Sequence, residues 1–193
     1  MKAAELRREF LRVGGLGAVA LVWTDALEAT PECDETEDNI EGPFYKEGAP
    51  ERESLVEKGM PGTPLVVSGV VMTTACRPIA NAILDVWQCD AAGVYDNTGF
   101  TLRGKLQADK KGRYQIRTIV PPPYKVGPDR SRPAHLHLKL RAPGIPVLTT
   151  QLYFEGDKWN AVDTAYRKSL TIRPTDGKGG KVARFNFHLK SPA

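Results

Sequence analysis

Histidine, cysteine and tryptophan number three each in these 193 residues, and the shortage excludes several kinds of protein at once. Three cysteines, at 33, 76 and 89, cannot staple a disulfide scaffold, and none is spaced C-x-x-C as a zinc or dithiol motif would be. The fold must therefore rest on its core. Hydrophobic residues make up 41% of the chain, enough at this length for one substantial core and too little to make two domains the expectation. No apolar run is long enough to span a bilayer comfortably. The formal charge of +4 and pI near 9.0 would suit an anionic small molecule, but no basic run alternates with aromatics, so no nucleic-acid platform is expected. Helical periodicity is scarce, and there is no internal repeat or low-complexity segment.

The first thirty residues differ from the rest. L-R-R-E-F-L-R, Leu6 to Arg12, precedes the glycine-rich apolar stretch Val13 to Trp23. The arginine pair and the short apolar stretch resemble a twin-arginine export signal over residues 1–29. Leu6 stands where Ser or Thr is usual, and L-E-A before Thr30 is a poor cleavage site. An exported protein, periplasmic or extracellular, is the expectation; read as a frayed amphipathic helix, the same segment leaves the protein in the cytoplasm. The folded part is expected over residues 30–193.

From Pro64 onward, β-branched or alternating runs recur between turn signals such as R-P-I-A-N, K-K-G and P-P-P. The predicted strands are Leu65 to Met72, Ala82 to Cys89, Thr101 to Gln107, Arg113 to Ile119, Ala134 to Arg141, Val147 to Phe154, Leu170 to Arg173 and Val182 to Lys190. Asp157 to Lys168 has room for a helical turn, and Thr30 to Thr63 reads as an irregular, Glu-rich arm. The fold class is all-β, an antiparallel β-sandwich with an N-terminal arm.

The stretch R-P-A-H-L-H-L-K-L, Arg132 to Leu140, carries two of the three histidines. On a strand, His135 and His137 share one face and Leu136, Leu138 and Leu140 the other, which turns the leucines to the core. Side chains at i and i+2 start roughly 6.5 Å apart, within reach of one metal ion. An H-x-H pair alone equally describes two satisfied strand histidines. His188, in R-F-N-F-H-L-K, falls on a solvated face, so further ligands must be oxygen or sulfur donors. Disulfide formation or burial is the more ordinary fate for the cysteines. Tyrosine remains: Tyr95 lies just past a strand, and Tyr124 follows three prolines that stiffen its approach. A phenol with a solution pKa near ~10 becomes a ligand only to a hard, strongly charged cation, which favours ferric iron.

Taken together, D-V-W-Q-C-D-A-A-G-V-Y-D, F-T-L-R-G-K-L-Q-A-D-K-K-G-R-Y-Q-I-R-T-I-V-P-P-P-Y and R-P-A-H-L-H, preceded by I-E-G-P-F-Y-K-E-G-A-P, resemble the intradiol ring-cleavage dioxygenases from about Ile40 to Asp157. The resemblance implies a β-sandwich holding a mononuclear non-haem Fe(III) on Tyr95, Tyr124, His135 and His137. It implies cleavage of a catechol-type ortho-diphenol by O2 to a cis,cis-muconate type product. Tyr124 would be the ligand released when the diol binds and a base for its protons. Arg132 would be the active-site cation and Gln151 a supporting glutamine. Ile40, Pro43 and Tyr45 would contact substrate at the pocket mouth, and Lys125 and Arg130 could greet a ring carboxylate. The partners implied are a small aromatic diol and O2, with no nucleic acid and no stable membrane span; the chain has no room for the long helical domain by which larger members assemble, which leaves a homo-oligomer open. The rival reading is a non-catalytic exported β-sandwich, a carbohydrate-binding or transthyretin-like module, in which the same tyrosines and histidines only pack.

Overall fold

The structure, a computed structural model, describes residues 32–190; the export signal expected over residues 1–29 lies outside the described residues. Two sheets pack face to face. The strands are β1 (Pro64–Thr73), β2 (Ile83–Trp87), β3 (Arg103–Gln107), β4 (Arg113–Ile119), β5 (Tyr124–Gly127), β6 (Arg130–Arg132), β7 (His135–Ala142), β8 (Ile145–Phe154), β9 (Thr171–Ile172), β10 (Thr175–Gly177), β11 (Gly180–Arg184) and β12 (Phe187–Leu189). One sheet centres on β1, with β4 on one edge and β11 and β12 sharing the other, β10 lying outside β11; the second runs β3-β2-β7-β8-β9. β5 and β6 form a separate hairpin.

Alternation decides what each strand buries. In β4 the side chains of Tyr114, Ile116 and Thr118 turn inward, while Arg113, Gln115 and Arg117 stay in water. Across the second sheet, Leu84 lies opposite Leu106 and Leu140, Val86 opposite Leu138, and Leu136 opposite Leu152. These side chains meet Leu65, Val67, Val71, Ile116 and Phe187 in one apolar core between the sheets. Such cross-strand pairs, each excluding water from its neighbours, set the register.

The sandwich is mixed rather than purely antiparallel. β1 runs parallel to both β11 and β12, and β8 parallel to β9. Hairpins force antiparallel pairing, but Leu65 meets Lys181 from far along the chain, and a long return can arrive in either direction. The strand expected over Val182 to Lys190 is broken at Phe185 and Asn186, where the Asn186 side-chain carbonyl accepts the Val70 N–H in place of a backbone oxygen. The segment Asp157 to Lys168 carries a 3-10 turn, Lys158–Ala161, whose first turn is capped by Asp157, and a second follows at Lys168–Leu170.

The arm is not loose. Cys33 is disulfide-bonded to Cys76, in the turn after β1. Beyond it, Thr36 exchanges hydrogen bonds with the His188 backbone, the Asn39 amide donates to the Thr149 carbonyl, and Thr150 donates to the Glu37 carbonyl. This line of contacts brings Ile40 to Tyr45 across the outer face of the second sheet.

Candidate active site

The outer face of that sheet gathers the residues singled out in the sequence. Trp87, His137 and Gln151 lie in register across β2, β7 and β8, and His135 lies opposite Tyr153. The leucines of β7 do face the core, and the histidines are just as buried, at 1% exposure each, because the arm and the loops around Tyr95 and Tyr124 cover them. The two faces of β7 are thus both dry, one apolar and one polar.

His135 donates from Nδ1 to the Pro133 carbonyl at 2.7 Å. That bond fixes the tautomer and leaves an unprotonated Nε2 with a free lone pair. The Nε2 of His137 stands 3.1 Å away, the Tyr95 hydroxyl donates to His135 Nε2 at 3.4 Å, and Arg132 Nη1 is 3.2 Å from the same atom. Burial, followed by the Arg132 charge, pushes the His135 pKa down to about 3, and burial with the neighbouring His135 depresses His137 further. Both rings are therefore neutral at ordinary pH, with their Nε2 atoms at hydrogen-bond distance from each other. Among the described residues, none partners the buried His137 Nδ1. The ring itself is clamped by Trp87, stacked at 4.9 Å and within 6° of parallel.

Tyr95 and Tyr124 complete the cluster, with their rings edge to face at 5.4 Å and Tyr124 5.6 Å from the His135 ring. Desolvation raises the pKa of both phenols, against the lowering charge of Arg132. They differ in support. Tyr95 is stacked by Phe44 at 4.2 Å and lies beside the buried guanidinium of Arg103, which is tied to the carbonyls of Asp96 and Phe44. Tyr124 begins β5, which pairs with β6 alone. Two glycines make room for the pair of rings: at Gly42 a Cβ would come within 3.3 Å of His137 Cε1, and at Gly93 within 3.3 Å of Tyr124 Cβ, and both have φ in the left-handed region, +73° and +79°.

Arg132 is held on three sides. Its Nε donates to Asp163 at 2.8 Å, and its Nη2 to Gln151 at 2.9 Å and to the Tyr153 hydroxyl at 3.1 Å. Gln151, fully buried, accepts there and donates through Nε2 to the Ile40 carbonyl at 2.7 Å, so one amide ties the arginine to the arm. Asp163 and Tyr153 are not among the residues singled out in the sequence; the register of β8 on β7 brings in Tyr153, and the chain just after the 3-10 turn at 158–161 brings in Asp163.

A cleft of about 510 Å³ opens above the tyrosines, lined by Ile40, Gly42, Pro43, Phe44, Lys125 and Arg132 among others. Ile40 and Pro43 stand at its mouth. Tyr45 does not line it: its ring lies against Trp87 at 4.9 Å and beneath the Lys139 ammonium, and its hydroxyl donates to the buried Asp85 at 3.1 Å. Arg130 lies in an adjoining depression with Asp163. His188 stands on β12 in the other sheet, half-buried beside the Asp34 carbonyl. Cys89 is a buried thiol, pushed up to about 12 by desolvation, and so an inert one. Among the described residues no three His, Cys, Asp or Glu side chains cluster as a metal site, so any cation here would have to use the phenols.

Comparison with known proteins gives the family. Residues 40–191 match the Dioxygenase family, Dioxygenase_C. The chain is 34% identical to the 6-chlorohydroxyquinol 1,2-dioxygenase of Cupriavidus pinatubonensis over 89% of its length and 71% of the relative's. It is 36% identical to a chlorocatechol 1,2-dioxygenase of Pseudomonas putida, over 78% of this chain and 66% of that one. It therefore spans about two thirds of the length of these curated relatives. Among solved structures, the dioxygenase domain of a dioxygenase and carbohydrate-binding protein fusion from Streptomyces sp. SirexAA-E superposes with a TM-score of 0.75 at 42% identity, covering 83% of this chain and all of that one. The 3-chlorocatechol 1,2-dioxygenase of Rhodococcus opacus superposes at 0.76 with 31% identity, covering 81% and 72%. A non-catalytic reading of the sandwich does not survive a match that spans both sheets and the stretches quoted from Ile40 onward, and the chain belongs to the intradiol ring-cleavage dioxygenase family.

Proposed function

We propose that this protein uses O2 to open a catechol-type ring between its two hydroxylated carbons, with a mononuclear non-haem Fe(III) held by Tyr95, Tyr124, His135 and His137. The observation that carries this is the convergence of two neutral imidazole Nε2 atoms, 3.1 Å apart, with the Tyr95 hydroxyl at the floor of a cleft. Two neutral imidazoles gathered beside two phenols offer a cation four donors in one place, and phenols suit a hard trivalent one. Held by these four residues, a ferric ion would supply Lewis-acid chemistry, lowering the pKa of the phenols beside it and of a diol in the cleft.

The rest is work for the protein. Tyr95 is clamped by Phe44 and Arg103, whereas Tyr124, at the start of the hairpin and beside Arg132, is placed to take a diol proton on its hydroxyl oxygen. Among the described residues no carboxylate lines the cleft, and a tyrosine is the available base. Arg132, locked by Asp163, Gln151 and Tyr153, holds a fixed positive charge beside His135, where negative charge spreads into the ring as the diol ionises. Phe44 and the arm exclude water from the floor.

Export of the protein is a second part of the proposal. The Cys33 to Cys76 disulfide belongs in an oxidising compartment, and the arginine pair of residues 7 and 8 precedes an apolar stretch as in exported chains. The test is direct: iron-loaded protein should bind one Fe per chain, be red-brown from phenolate-to-iron charge transfer, and consume O2 with catechol to give the intradiol diacid. Colourless protein without stoichiometric iron, or an extradiol aldehyde product, would overturn the reading.

A further inference from the structure

Half of the large apolar side chains left exposed among the described residues ring one opening. Ile40, Val94 and Val126 are 54%, 59% and 49% exposed, and all three line the cleft above Tyr95 and Tyr124. Scattered singly, such residues need no explanation; gathered from three chain segments onto one mouth, they do. The backbone beneath two of them is tied down. Val94 closes a turn in which the Asp90 amide donates to its carbonyl and the Asp90 carboxylate accepts from its amide, both at 2.9 Å. Ile40 is fixed through its carbonyl by Gln151 and through its amide by Asn39. Apolar groups held rigidly in water are a standing cost that a ligand would remove.

The size of the cleft agrees. At about 510 Å³ it falls among pockets that enclose a drug-sized ligand, and a bare dihydroxybenzene would occupy only its floor. With the diol directed down to the tyrosines, the ring carbons remote from the hydroxyls face the apolar rim. Lys125 and Arg132 are the charged lining residues, and no acidic side chain joins them. We propose that the cleft selects ortho-diphenols carrying an apolar alkyl or aryl substituent at ring position 4, seated against Ile40, Val94 and Val126. This rests on the ring-cleavage reading above and goes beyond it by assigning the rim.

The test uses iron-loaded full-length protein and 4-alkylcatechols from methyl to pentyl, with KM from oxygen uptake and Kd from anaerobic calorimetry. Both constants should fall about twofold per methylene, half the roughly fourfold expected of full burial, because the rim is open on one side. In the Val94→Asn, Val126→Asn double variant the dependence on chain length should disappear. Turnover of every member with no dependence on chain length would overturn this proposal and leave ring cleavage standing. A dependence that survives in the double variant would equally overturn the assignment to this rim. A flat series in a protein whose self-association is abolished by the double variant would reassign the rim to contact between copies of the chain. Failure to turn over any diol, catechol included, would instead remove the ring-cleavage reading on which the proposal stands.

Discussion

Replacing Asp163 by Asn isolates the anchoring of Arg132. The substitution keeps the shape but leaves one acceptor oxygen where Asp163 uses two, Oδ2 for Arg132 Nε and Oδ1 for the Ala165 amide, so the charge is lost together with one of these hydrogen bonds. The two side chains are 13% and 6% exposed, so the guanidinium would be left nearly buried beside neutral groups, the Gln151 amide and the Tyr153 hydroxyl. Burial by itself depresses the Arg132 pKa, and the Asp163 hydrogen bond and nearby acids hold it raised. Breaking a buried pair from one side typically costs 3–5 kcal/mol; with two neutral acceptors remaining, about 3 kcal/mol is the expectation. For a chain of this length that is a loss of roughly 6–12 °C in Tm. Asp163 touches no substrate and acts through Arg132, so its second effect should be on kcat more than on KM, about tenfold, or about 1.4 kcal/mol of barrier. Thermal unfolding by circular dichroism and steady-state oxygen uptake measure both. A Tm within about 2 °C of the parent, a displacement too small for any broken buried pair, would refute the reasoning.

Two further outcomes follow from the same site. In metal-free protein, the imidazoles of His135 and His137 are held neutral by burial, so protons favour the unfolded chain; each should cost about 1.4 kcal/mol of stability per pH unit as pH falls from near 6.5 toward the folded value of about 3 for His135, and urea midpoints that are flat from pH 7 to 5 would contradict their burial. Tyr45→Phe removes the hydroxyl that donates to Asp85, leaving a buried carboxylate with Arg141 at 3.5 Å, and should lose about 1–2 kcal/mol of stability while KM for catechol stays within a factor of two, which a set of melts and Michaelis curves would decide.

The H-x-H strand was legible because period-two alternation puts uniform leucine on one side and leaves no choice about the other. Tyr95 and Tyr124 were legible only as part of a family pattern, since a phenol in a turn carries no local signal that separates a ligand from a packed ring. Most strands were readable from β-branched runs, but the pairing was not: the parallel approach of β11 to β1 is settled by the long return from the second sheet, which leaves no trace in either strand. Tyr45 shows the same limit from the opposite side. Its neighbours Pro43 and Phe44 reach the cleft, and one step further along the arm the side chain turns over Trp87 to meet Asp85, a buried acid whose position only the folded sheet defines. Asp163 was invisible for a comparable reason, since its value lies in distance to Arg132 and not in any motif.

The four donors and Arg132 all lie between residues 95 and 137, while one wall of the cleft arrives from the arm, fixed at its start by the Cys33 to Cys76 bond and at its end by the Gln151 to Ile40 contact. The Ile40 side of the entrance is thus written on a different stretch of chain from the proposed donors, while Val94 and Val126 come with them, and the two stretches meet only after folding. An exchange of residues 40–44 between relatives could then redraw the entrance and leave the donor set in its own frame, which makes the arm a natural unit for recombination.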